Sequence, residues 1–377
     1  MLSSRHLRPS VFAVVFSLFL AFIFMLAHKA PLTAERMPAA DAYAVLDMAG
    51  QPIYMRQTTQ KGLVFAPVAD HFITVDNSDS HIIALAEYIR REASQTMMGK
   101  IFPALPYKEE ALTTGVTQPL GVEQTLLLNP DVVVLYNYQT APFDAVSFTG
   151  LARITNIRVQ EKEMFGMLGG LTGQTQRVED LFARREIILN EIFAAIPQDK
   201  PPVKMLTMSH SSFSFFTTLF ENYNDYIKRC NAVNLTEKAL PGGDTNLEHL
   251  LKLNPEVIFL YDYRNQLTVQ DVFSNRALAG LSAVKNRRVY RMPKGVARMT
   301  GPLEEPLLIA WMCQLLHPEM TPATSFRWLI KSAYHEVFDY WPTEADVDDF
   351  LNMLENVSSA YYYEKFQYHA TNGGEKP

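Results

Sequence analysis

Cysteine is nearly absent from this chain of 377 residues: only Cys230 and Cys313 occur, and neither sits in a CxxC pair. A zinc ribbon or dithiol redox motif is thereby excluded, and two buried thiols are expected rather than a disulfide. No long basic run is present and the net charge is −6, which argues against nucleic acid as a partner. The sequence holds no GxSxG, no HExxH and no P-loop, so the common hydrolase, metalloprotease and NTPase signatures are missing. Ser209 and His210 adjoin, but adjacency alone makes no catalytic dyad. The reading is therefore not an enzyme and carries no cofactor. The glycines at 166, 169, 170 and 173 do not lie between a strand and a helix of a compact βαβ unit, so they do not form a dinucleotide loop.

Long apolar runs are also scarce, with one exception. Val11 to Ala27 is seventeen residues in which Ser17 alone is not strongly apolar, and it follows the basic start Arg5, His6 and Arg8. That is long for a signal-peptide core and short for a membrane span. The expectation is export to the periplasm, with residues 1–37 either removed as a signal peptide or kept as an inner-membrane anchor. No cysteine follows the run, which excludes a lipoprotein anchor, and AHKA at 27–30 is a poor cleavage site.

What is present is a repeat. EQTLLLNPDVVVLYNY at 123–138 returns as EHLLKLNPEVIFLYDY at 248–263, with nine of sixteen positions identical at a constant offset of 125. Each copy reads as a helix stopped by Asn-Pro and followed by an acidic residue and a short β-rich run. Runs apolar on both faces suit strands buried in a parallel sheet. Two such copies in a chain long enough for two cores imply two similar α/β lobes. Between them, Gln176–Ile196 is periodic enough for one helix of about 30 Å. Other expected elements are a hairpin around Ala49-Gly50, a strand at His71–Asp76, a helix from His81 capped by NSDS, and a strand at Val203–Ser209. A surface-wandering Met97–Gly121 and an apolar helix at Gly301–Met320 complete the set, with two or three amphipathic helices to Phe366. The expected division is 38–163 for the first lobe, 164–197 for the connecting helix, 198–366 for the second lobe, and a disordered tail at 367–377.

The chain resembles a known family through LDMAGQPI, VEQTLLLNPDVVV, GMLGGLTGQTQRVEDL, NLEHLLKLNPEVIFL, and LSAVKNRRVYRMP with AWMCQLLHPE. It is similar to the periplasmic substrate-binding proteins of ABC importers for iron–siderophore, haem and cobalamin over about residues 44–366. The resemblance implies two Rossmann-like lobes, each with a central mainly parallel sheet, joined by a single long rigid helix. It implies a ligand held in the cleft and a monomer working with an ABC permease and its ATPase. It further implies that one glutamate per lobe, here Glu123 and Glu248, docks onto permease arginines. The ligand reading is an iron chelate, siderophore or haem. Cobalamin, or a membrane-tethered sensor of the same fold, is the alternative.

Ligands of open α/β sheets lie beyond the carboxyl ends of the strands. The loops expected there supply His81, Tyr136, Tyr138, His210, Tyr261, Tyr263, Arg264, Lys294 and Arg298. Rings cover apolar ligand surface and arginines hold carboxylates, Arg264 and Arg298 first among them. His81, His210, Tyr138 and Tyr263 are the candidate axial donors to haem iron. No site for a bare metal ion is assigned.

Overall fold

A computed structural model describes residues 42–64, 66–110, 121–155, 161–208, 223–235, 247–261, 267–296 and 299–368. The apolar segment 11–27, His210, Tyr263, Arg264 and Arg298 lie outside the described residues.

The first lobe opens with an antiparallel hairpin, β1 (Tyr43–Leu46) and β2 (Pro52–Met55), whose turn is closed by Asp47 and contains Gly50 at φ 75°. The elements β3 (Gly62–Val64), α1 (Ala66–Asp76), β4 (Ile82–Leu85), α2 (Glu87–Gln95), α3 (Met97–Ile101) and β5 (Glu109–Glu110) follow. The first repeat copy supplies α4 (Val122–Leu127) and β6 (Val132–Tyr136), and α5 (Ala141–Ala145) and β7 (Leu151–Ile154) end the lobe. Its sheet has the order β5-β4-β3-β6-β7, parallel throughout.

Two helices then carry the chain across: α6 (Glu161–Thr172) and α7 (Thr175–Ala194), the latter twenty residues long. The glycines of this region lie in and just after α6. A Cβ on Gly170 would come within 3.0 Å of Val45, so glycine lets the hairpin seat on the helix.

The second lobe contains β8 (Val203–Met208), α8 (Asn224–Arg229) and β9 (Ala232–Asn234). The second copy follows as α9 (Leu247–Leu253) and β10 (Val257–Leu260), then come α10 (Val269–Ser274), α11 (Ser282–Lys285) and β11 (Val289–Arg291). The sheet order is β9-β8-β10-β11, again parallel, so the four shared strands have one topology in both lobes. Helix α12 (Gly301–Leu316) is buried at every position and packs along α7. The chain closes with α13 (Phe326–Phe338), α14 (Glu344–Phe350) and α15 (Tyr362–Phe366). These last helices reach back to the first lobe. Phe102 meets Phe338 edge-on at 5.5 Å, Lys100 pairs with Asp346, and Arg177 donates to the carbonyls of Thr74 and Val337.

Four expectations fail. His71–Asp76 is not a strand but the second half of α1. Val68, Ala69, Phe72, Ile73 and Val75 are all inaccessible, so the helix is buried all round and its β-branched content gives no usable period. NSDS ends that helix instead of starting one: Asn77 takes φ 55° and its N–H returns to Ile73. The strand is Ile82–Leu85, and the next helix begins at Glu87. Within Met97–Gly121, Met97, Met98, Phe102 and Leu105 are core residues, not surface. The two cysteines are bonded, Cys230 to Cys313 with Cα atoms 5.3 Å apart, because α8 ends against α12. Partners 83 residues apart leave no local trace in the sequence.

Candidate functional site at the carboxyl ends of the strands

The two repeat copies place their chemistry alike at the start and differently at the end. Glu123 and Glu248 each occupy the first turn of a short helix and are exposed. Leu126 and Leu251, three residues on, are also exposed. Both helices end at an asparagine in the left-handed region, Asn129 at φ 50° and Asn254 at φ 43°. Asn tolerates that conformation, and the following Pro blocks further helix. The next acidic residue reaches across to the neighbouring strand. Asp131 accepts from the N–H groups of Gln60 and Lys61, and Glu256 accepts from Lys204.

At the far end of β6, Tyr136 and Tyr138 stack with centroids 5.5 Å apart and planes inclined by 11°. Tyr136 is half-buried and Tyr138 is 66 % exposed. Stacking at this separation is favourable. At the far end of β10 the matching Tyr261 is 7 % exposed, and its N–H bonds to Met208 at 2.8 Å, continuing the sheet. It therefore packs as core, in contrast to its half-buried counterpart Tyr136.

Lys294 follows β11, on the carboxyl side of the second sheet. Burial and the Arg291 guanidinium press its pKa down, while Asp349 and Glu355 act the other way. The segment from β11 to α12 is anchored by Glu304, an inaccessible carboxylate that accepts from the N–H groups of Val296 and Met299 and from the Tyr334 hydroxyl. Desolvation and the Glu304 charge hold the Tyr334 phenol well above its ordinary pKa. A Cβ on Gly295 would collide with that carboxylate.

His81 is a correction. It precedes β4, so it sits at the amino end of the sheet, opposite the strand ends that carry Tyr136. There its Nδ1 lies 3.0 Å from Asp76. Its placement near the cleft rested on reading His71–Asp76 as a strand. Conversely, Glu304 and Glu305 were missed, although two glutamates inside the apolar stretch GPLEEPLLIAW signal buried, partnered charge. Among the described residues no group of three or more His, Cys, Asp or Glu side chains gathers as a metal site. A groove of ≈ 540 Å³ between β1 and α6 is lined by Tyr43, Leu46 and Met167.

Two parallel-sheet lobes of one topology, linked by a long helix, define the two-lobed class of solute-binding proteins. The chain belongs to the periplasmic binding protein family, which it matches over residues 98–296. A periplasmic solute binding protein from Veillonella parvula superposes with a TM-score of 0.72 at 20 % identity, covering 84 % of this chain and 98 % of that one. CeuE of Helicobacter pylori in its nickel–histidine complex superposes with a TM-score of 0.64 at 19 % identity, covering 82 % and 99 %. The molybdate-binding protein MolA of Haemophilus influenzae is 22 % identical over 286 residues, which is 66 % of this chain and 79 % of MolA. The chain is thus a periplasmic binding protein, of a family that works outside the cytoplasm. Its family is one of binding proteins, not enzymes. The disulfide fits that compartment. Among the described residues no helix is long and apolar enough to cross a membrane.

Proposed function

We propose that the solute is an iron chelate, a siderophore or haem, held between the lobes and delivered to the permease. The parallel Tyr136–Tyr138 pair carries this reading. A flat, partly exposed aromatic platform at a strand end suits a planar or aromatic chelate better than a small hydrated ion. Lys294, with Arg264 and Arg298, supplies cations for the chelate's carboxylates, and Tyr263 and His210 complete the second lobe's contribution. Glu123 and Glu248 dock the two lobes onto permease arginines, as expected of a pair of exposed carboxylates repeated once per lobe. The binding protein acts as a monomer, and residues 1–37 export it or tether it.

The visible spectrum of protein purified from its native host tests the ligand. A Soret band identifies haem, and a broad charge-transfer band identifies a ferric siderophore. Colourless protein that gains no thermal stability from haem or ferric chelates overturns the reading. A thermal shift with a corrinoid alone moves the ligand to cobalamin, and one with molybdate alone moves it to an oxyanion. Charge reversal of Glu123 and Glu248 together should abolish transport and leave ligand binding intact; unchanged transport removes their docking role.

A further inference from the structure

Away from the strand ends, two carboxylates converge on one guanidinium. Glu161 opens α6, which packs on α1 of the first lobe; Glu305 lies in α12 of the second. Arg185 of α7 stands between them. Its Nε donates to Glu305, and one Nη lies 3.8 Å from Glu161 and donates to the Tyr226 hydroxyl of α8. The guanidinium also sits 5.7 Å from the Phe182 ring centroid and 5.6 Å from that of Tyr226. The remaining charged neighbour is Glu186, exposed on α7, 3.4 Å from Arg185. One cation thus faces three carboxylates, and Glu305 is only 5 % exposed.

The cluster is wired to the cleft side by the backbone. The Gly301 backbone faces the Glu161 carboxylate and favours its charged form. Gly301 begins α12 directly after the segment anchored by Glu304, and His71 of α1 and Phe165 of α6 press against it. Glu161, a helix α6 residue, therefore holds the point where the second lobe's cleft segment enters α12.

We propose that Glu161 and Glu305 form a proton-operated latch between the lobes: proton uptake draws the start of α12 onto α6, and proton loss loosens that contact. With both carboxylates ionised, Arg185 cannot neutralise both, and they repel across a poorly solvated gap. One proton removes that repulsion, so α6 and the first turns of α12 can approach. Burial, then the Glu305 charge, raises the Glu161 pKa to about 7, against the opposing pull of Arg185 and Gly301. Glu305 is raised too, by burial first, with Arg185 opposing. Because the folded-state value lies above that of an unfolded glutamate, the stabilisation is full at acid pH and is lost as pH rises through about 7. A protein outside the cytoplasm meets that range directly. Nothing in the latch depends on which solute fills the cleft.

The test follows the Gly301 amide resonance and the melting temperature of the full chain from pH 5 to 8.5. The amide should titrate with a midpoint near 7, and the melting temperature should fall across the same interval. Glu161→Gln should flatten both curves. Glu305→Gln should keep the Gly301 titration but move its midpoint down by about 1 unit, because the like charge is gone. A static Gly301 amide, or a midpoint below pH 5, overturns the latch. So does a Glu161→Gln variant that melts lower by the same amount at every pH. If Glu161→Gln does not fold, the native titration and the Glu305→Gln shift decide.

Discussion

The two copies of the repeated unit share their scaffold and differ at their ends. In both, a left-handed asparagine breaks the helix and an acidic side chain ties the new strand to its neighbour. Yet Tyr136 is half-buried and stacks on the exposed Tyr138, whereas its counterpart Tyr261 is buried at the end of β10. The second lobe also has the only disulfide among the described residues and the fully buried helix α12. Duplication thus preserves what makes a strand and frees the residues after it. In the first lobe Tyr136 joins a stacked pair, and in the second its counterpart Tyr261 packs in the core.

The sharpest way to break this comparison is to truncate the buried ring of the second lobe and the exposed ring of the first. Tyr261→Ala removes a core aromatic and should cost about 3–5 kcal/mol in urea unfolding. Tyr138→Ala should leave stability within about 0.5 kcal/mol, since the ring is largely solvated, and weaken ligand binding instead. Equal stability losses would show that both rings are structural. Next is the asymmetry in cross-linking. Replacing Cys230 and Cys313 together by serine should cost about 2–5 kcal/mol. Hydrogen exchange should report it as earlier opening of α8 and α12 than of the first sheet; uniform opening would contradict a second-lobe role. The smallest effect concerns the acidic clamps. Asp131 receives two backbone N–H groups and Glu256 one, so Asp131→Ala should cost about 1–2 kcal/mol and Glu256→Ala about 0.5–1. The reverse order would mean that the clamps are not equivalent.

Much of the frame was legible because one motif occurs twice. Asn-Pro, the acidic residue and the VVVLY and VIFLY runs announce strand, topology and lobe count together. His71–Asp76 failed because Ile, Thr and Val suit a strand until tertiary burial makes them a helix, and His81 was misplaced with it. The disulfide was invisible because only the docking of α8 on α12 brings its halves together. Glu304 and Glu305 stood in view as charge inside an apolar run, but their partners Tyr334 and Arg185 come from other helices. Among the proposed cleft residues, the stacking of Tyr136 on Tyr138 was not readable, because the strand ends at Tyr136 and a helical turn at Asn137–Gln139 carries Tyr138, and the burial of Tyr261 depends on what packs over β10.

The central claim is that the Tyr136–Tyr138 face holds the solute. Its most direct measurement is an equilibrium titration of ligand-free protein with haem and with ferric siderophores, repeated on a Tyr136→Ala, Tyr138→Ala double variant that melts like the parent. One of these chelates should bind the parent with quenched tyrosine emission and bind the variant at least about tenfold more weakly, the loss expected for stacking contacts of about 1.4 kcal/mol. Equal affinity in parent and variant, or no binding of any chelate to the parent, would contradict it.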